Sequence, residues 1–196
     1  MERWAAVFLP LFVLMGVARA ATELPFPSGN FEDPAGWTIG GEDGGMTTIV
    51  PEAARQGKMG LRVVDESDKT GSDCRSAPIP VTNGKTYELR FWGRNLSGSG
   101  IGVYLHFHDA TGRALNDQRP NHIISSLLPD QQEWSELKLY GMAPAAAATL
   151  SVWIHSYMAS KVEAEYDDFR VLELSDEEAT EMQDENTRQI LSRGTI

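Results

Sequence analysis

Asp167 is a side chain in this sequence that demands a partner. It lies in the strand-like run Val162 to Leu172, V-E-A-E-Y-D-D-F-R-V-L. A period of two sets Asp167, Phe169 and Val171 on one face and Tyr166, Asp168 and Arg170 on the other. A carboxylate on the core side is costly unless a cation or hydrogen-bond donors offset it, which makes Asp167 a candidate metal ligand. Its expected partner lies far upstream, Glu32 in Gly29-Asn30-Phe31-Glu32.

Three further runs carry side chains with chemistry on the face that alternation turns away from the core. In Tyr87 to Arg94 the core set is Tyr87, Leu89 and Phe91, which turns out Glu88, Arg90, Trp92 and Arg94. In Ile101 to Asp109 the core set Ile101, Val103, Leu105 and Phe107 turns out Tyr104, His106 and His108. In Thr149 to Ser156 the core set Leu150, Val152 and Ile154 leaves Trp153 and His155 opposite. His106-x-His108 with His155 from a neighbour is a possible three-histidine zinc site. Arg90, His106 and Tyr104 have the residue types to neutralise a carboxylate and move the proton next to it. A pair of acids facing across a cleft is not offered, since Glu88 alone is clearly outward. The sequence contains no G-x-S-x-G, no phosphate-binding P-loop and no H-E-x-x-H.

The elements that must position these residues are short strands. Apolar-polar alternation recurs in Leu61 to Val64, Ala77 to Val81, Tyr87 to Arg94, Ile101 to Asp109, Trp134 to Leu139, Thr149 to Ser156 and Val162 to Leu172. Gly40-Gly41, Gly44-Gly45, Asn83-Gly84, Ser97-Gly98-Ser99-Gly100 and Thr111-Gly112 supply the turns between them. The pattern predicts an all-β fold, a two-sheet antiparallel sandwich or jelly roll. After Leu174 the composition turns polar, and Ser175-Asp176-Glu177-Glu178 caps a short or partial helix in a tail over 175–196.

The first twenty residues read as a secretory signal: Arg3, an apolar run from Trp4 to Val17, then Ala18-Arg19-Ala20, with cleavage after Ala20. The run is short and contains Pro10, which argues against a membrane anchor and places the mature chain in a secreted or periplasmic setting. Of 196 residues, 41% are hydrophobic and 23% charged, enough for one core over residues 21–174. The formal charge of -11 repels phosphates, so nucleic acid and anionic membranes are not expected partners. The single cysteine, Cys74, permits no internal disulfide and has no histidine close in sequence to activate it, so it reads as a small packed residue.

Several segments taken in order carry a resemblance. They are Gly29-Asn30-Phe31-Glu32-Asp33 with Gly36-Trp37, then Gly57-Lys58-Met59-Gly60-Leu61-Arg62-Val63, then Asn83-Gly84-Lys85-Thr86-Tyr87-Glu88-Leu89-Arg90-Phe91-Trp92. Val103 to Asp109 with Gly112, Glu133-Trp134-Ser135-Glu136-Leu137, and Tyr166-Asp167-Asp168-Phe169-Arg170-Val171 follow. Together the set resembles carbohydrate-binding modules of families four, nine and twenty-two. The resemblance implies a galactose-binding-like jelly roll with a structural calcium (Ca2+) on Glu32 and Asp167, completed by backbone carbonyls near Gly57 to Gly60. It also implies that the three outward-facing strands line one sheet, and it places Trp37 and Trp134 at core positions.

On that arrangement one outer face would carry Trp92, Tyr104 and Trp153 beside Arg90, Arg94, His106, His108 and His155. Flat aromatic rings cover the apolar faces of sugars, and Arg or His donors fix their oxygens, with Arg suited to the carboxylate of a uronate. The expected function is therefore a secreted, non-catalytic carbohydrate-binding protein. A small jelly-roll polysaccharide lyase acting on uronate polymers is the enzymatic alternative, and an extracellular module with a protein partner is the third reading.

Overall fold

The computed structural model describes residues 20–118, 121–129, 131–157 and 159–193, so residues 1–19 of the expected signal lie outside the described residues. In chain order the strands are β1 (Thr22–Leu24), β2 (Trp37–Ile39), β3 (Thr47–Val50), β4 (Gly60–Asp65), β5 (Cys74–Ser76) and β6 (Ile79–Pro80). They continue with β7 (Thr86–Gly98), β8 (Ile101–His108), β9 (Ile123–Ser126), β10 (Ser135–Met142), β11 (Thr149–Ser156) and β12 (Val162–Glu173), before helix α1 (Asp176–Arg193). Among the described residues they form two antiparallel six-stranded sheets, the β-sandwich that the alternation predicts.

The first sheet runs β10-β7-β12-β4-β3, with β1 against the end of β12 that β4 leaves free. The second runs β2-β5-β11-β8-β9, with β6 beside the start of β11. The expected inward sets are correct on both sheets. Tyr87, Leu89 and Phe91 of β7 meet Val103, Leu105 and Phe107 of β8 and Leu150, Val152 and Ile154 of β11 in one core, all fully buried. Phe31 stacks on Trp37 at 4.9 Å and Phe91 on Phe169 at 5.0 Å, geometries that add to plain burial. Trp37 is in this core, whereas Trp134 sits half-buried on the outer side beneath the Arg94 guanidinium, 4.8 Å from its ring.

Two expectations are corrected. β7 lies in the first sheet, and β8 and β11 lie in the second, so the three strands do not line one sheet. Consecutive strands usually pair, but Gly98 (φ +74°) and Gly100 (φ +93°) carry the chain from one sheet straight to the other. Strict alternation also fails along β12. Asp168 has φ +53°, and the register against β7 shifts between Asp167 and Arg170, so a bulge places both Tyr166 and Phe169 in the core. Aspartate tolerates this left-handed backbone better than a branched residue does. Asp167 therefore does not share a face with Phe169 and Val171; a loop covers it instead.

The tail forms a longer helix than expected. Ser175 caps it reciprocally: its Oγ accepts from the Glu178 N–H at 3.2 Å, and Glu178 Oε2 accepts from the Ser175 N–H at 2.9 Å. Cys74 is a packed residue, fully buried, its thiol pushed up to about 12 by burial first and by Asp43 and Asp73 next.

Candidate binding face on the second sheet

The outer side of β8 and β11 is an aromatic and imidazole cluster. β8 and β11 pair so that Tyr104 stands opposite Trp153 and His106 opposite Ser151. Tyr104 lies 4.9 Å from Trp153 between ring centres, and Trp153 stacks on His155 at 4.2 Å. His106 is 5.5 Å from Trp153 and 6.3 Å from His108. His122, just before β9, meets the Tyr104 edge at 5.5 Å, so all four histidines of the chain gather here. Tyr104 is 7% and His106 3% exposed, which no solvated sheet face would give.

His106 Nε2 is buried without a hydrogen-bond partner among the described residues. Burial pulls its imidazole down to about 4, helped by the positive Arg75 and by His108 and His122 and opposed by Asp117, so the ring is neutral near pH 7. His108 Nε2 is 2.8 Å from Ser151 Oγ, and His155 Nδ1 bonds the Ser72 carbonyl oxygen. The three-histidine zinc site is not assembled: no group of three or more metal-binding side chains is present among the described residues. The reason is that Trp153 stands between His155 and the other two.

Arg75 on β5, opposite Trp153, is the residue that sequence reasoning missed. Its guanidinium lies over the Trp153 ring at 4.2 Å. The signal lies in Arg75 standing between Cys74 and Ser76, but a run of three residues is too short for alternation to assign its outward side chain. Arg75, Ser76, Pro78, His108, Ala148 and Ser151 line a cleft of about 580 Å³. A smaller one of about 260 Å³, bordered by Lys69, Asp73, Trp153 and His155, shares Arg75 as its wall. The two clefts thus meet over the Arg75–Trp153 stack.

The other three expected ligands lie on the first sheet and are consumed by internal partners. Trp92 is covered by the Arg55 guanidinium at 3.5 Å. Arg94 bonds Glu165, a fully buried carboxylate that Arg62 also clasps. Arg90 pairs with Glu88 two residues earlier. Alternation gives the side of a strand but not its sheet, and Arg90, Trp92 and Arg94 on β7 are therefore not neighbours of the β8 and β11 cluster. Arg90 is on the opposite side of the sandwich from His106 and Tyr104, so the proton-transfer trio does not assemble either.

Glu32 and Asp167 close on one loop from different elements. Glu32 Oε1 accepts from the N–H of Lys58 (2.6 Å) and Met59 (3.0 Å). Asp167 Oδ2 accepts from Arg55 (2.8 Å) and Gln56 (3.0 Å), and Oδ1 from Asp168 (2.8 Å). Gly57 holds a φ of +69°, a left-handed backbone that side chains rarely adopt. The Lys58 and Met59 amides lower the Glu32 pKa, while burial raises that of fully buried Asp167 against its three amide donors. Two carboxylates are oxygen ligands of the kind calcium takes, and a cation would relieve the burial of Asp167.

No family model and no curated protein matches this sequence. Solved structures do match in fold. A family 16 carbohydrate-binding module aligns with a TM-score of 0.56 at 20% identity, over 74% of this chain and 97% of that one. The CBM22-1 xylan-binding domain of Paenibacillus barcinonensis Xyn10C aligns at 0.57 and 18% identity, over 81% and 99%. The enzymatically active domain of tailspike protein 4 from bacteriophage CBA120 aligns at 0.58 and 16% identity, over 76% of this chain and 21% of that one. Modules of families 11 and 61 match as well. The chain has the jelly-roll fold of carbohydrate-binding modules, and of the three families named by the sequence resemblance the twenty-second is among these neighbours.

Proposed function

We propose that the mature chain is a secreted or periplasmic carbohydrate-binding protein without catalytic activity. Its ligand lies on the outer face of the second sheet, along the two clefts that meet at Arg75 and Trp153. The observation that carries this reading is the packed face of Tyr104, His106, Trp153 and His155 beside a cleft of about 580 Å³, within the size range of small-ligand sites. Pro78, Ala110 and Ala148 give the cleft apolar wall, and His108, Ser151 and Arg75 give it polar groups that sugar hydroxyls can meet. No helix among the described residues is long and apolar enough to cross a membrane.

The test is a glycan screen of the mature protein, comparing wild type with Trp153→Ala and Trp92→Ala. Trp153→Ala abolishes binding and Trp92→Ala retains it, because Trp92 faces outward from the other sheet under Arg55. Loss of binding in Trp92→Ala alone, at unchanged thermal stability, contradicts the assignment. Ultraviolet-absorbing product released from uronate polymers would make the chain a lyase, and a stable stoichiometric complex with a protein without glycan binding would make it an interaction module.

A calcium ion on Glu32, Asp167 and carbonyls of the loop over 57–60 belongs to the same proposal. Its role is structural: it ties the start of the chain, the loop before β4 and the bulge of β12 together, away from the second-sheet face.

A further inference from the structure

Resting on that reading of the second-sheet face, we propose that its glycan is acidic, and that Arg75 holds the carboxylate of a uronic acid residue where the two clefts meet. The argument is the way Arg75 is fixed. Its Nε donates to Asp73 Oδ1 at 3.0 Å, and Trp153 Nε1 donates to the same oxygen at 2.7 Å. One carboxylate oxygen thus locks the guanidinium and the indole together, with the guanidinium lying over the ring.

Asp73 is itself immobilised. Its N–H donates to Asp43 Oδ1 at 2.8 Å, its carbonyl accepts from the Gly40 N–H at 2.7 Å, and its Oδ2 packs where a Gly40 Cβ would lie at 2.0 Å. Asp43 is fully buried and held in turn by the backbone and hydroxyl of Thr47. The arginine is therefore oriented before any ligand arrives, and most of the ordering cost has been met in folding.

What remains free is the end of the fork. The two terminal nitrogens of Arg75 make no hydrogen bond among the described residues, and the side chain is 44% exposed where both clefts open. Arg62 and Arg94 differ, since both spend their terminal edges on Glu165. A guanidinium end with parallel N–H donors matches a carboxylate bidentately. Asp73 offsets part of the Arg75 charge through Nε, and Asp109, the acid in the larger cleft, is engaged by Thr111 and by Arg113. The smaller cleft carries one further acid, Glu42, and one further cation, Lys69. His108 on the same wall adds a donor or acceptor for the ring oxygens.

The test is titration of the mature protein with polygalacturonate, alginate, glucuronoxylan and hyaluronan, each paired with its carboxyl-reduced counterpart, and with dextran sulfate, xylan and mixed-linkage β-glucan. Expected is binding of at least one uronate polymer, weaker by about tenfold or more for its reduced form and for Arg75→Gln. Arg75→Lys keeps the charge but loses the fork, and it is expected to bind several-fold more weakly than wild type. Thermal midpoints near that of wild type qualify both variants, and Arg75→Lys alone decides if Arg75→Gln does not fold. Equal binding to a reduced polymer, binding of neutral glycans only, or binding that survives both Arg75 substitutions overturns the acidic assignment while the glycan reading stands. Preference for dextran sulfate over every uronate overturns the carboxylate in favour of a sulfate. No binding to any probe overturns both.

Discussion

His106 has its Nε2 buried without a partner and its imidazole held neutral, so its titration couples to folding. The folded pKa of about 4 lies below the ordinary value of 6.5. Its contribution to stability is therefore whole above about pH 6.5 and is lost as the pH falls toward 4, because only the unfolded chain takes up the proton in that window. By about pH 5 the loss is roughly 2 kcal/mol. Denaturant unfolding of wild type and His106→Gln at pH 7 and pH 5 checks this: the wild type loses more stability between the two, and equal losses contradict it. The groups facing His106 that enter this balance are Arg75, His108, His122 and Asp117. At this scale the sequence was legible in part. The outward positions of Tyr104, His106, His108, Trp153 and His155 follow from alternation alone, but the interlock of Arg75, Asp73 and Trp153 depends on which strands pair, a relation that no local spacing contains.

At the scale of elements, β12 shows why a period of two is not enough. Its inward residues are Ala164 and Tyr166 before the bulge and Phe169 and Val171 after it, and the bulge at Asp168 absorbs the one extra residue so that both pairs stay in the core. Deleting Asp168 removes the extra residue and leaves both pairs inward by strict alternation, so the expected result is a folded protein without the Arg55 ion pair, and Asp168→Gly, which keeps the backbone, likewise folds and loses only that pair. A deletion variant that yields no cooperatively unfolding protein contradicts the bulge. On β7, Arg94 belongs to the buried Glu165 cluster. Arg94→Met costs roughly 1–3 kcal/mol of stability, measured by denaturant unfolding, and leaves glycan affinity unchanged. A variant that kept its stability and lost its affinity would return Arg94 to the binding face. The strands themselves were largely legible, but the short β1, β2, β3 and β9 were not. Three or four residues carry too little alternation to stand out, and the pairing across the sheet sustains them.

At the scale of the whole molecule, the sandwich separates two kinds of chemistry in space: carboxylates on the loop over 55–59, aromatics and imidazoles on the second sheet. With calcium at about a hundred times its dissociation constant, linkage adds about 2.7 kcal/mol to stability, or roughly 5–10 °C in the midpoint of a domain this size. A thermal melt in calcium against one in chelator measures it. The increment disappears in Glu32→Gln combined with Asp167→Asn, and a midpoint indifferent to calcium contradicts the ion. The fold class was legible because many short alternating runs between glycine turns leave few alternatives, whereas the partition of strands between sheets depends on the Gly98–Gly100 crossing.

The most direct measurement of the binding face is a nitrogen-15 NMR titration of the mature protein with an oligosaccharide of whichever glycan the screen selects. The expected shifts centre on Arg75, Tyr104, His106, His108, Ser151 and Trp153, with the indole N–H of Trp153 among the largest, and leave Arg90, Trp92 and Arg94 in place. Shifts centred on β7 and β10 instead would put the ligand on the first sheet and contradict the account.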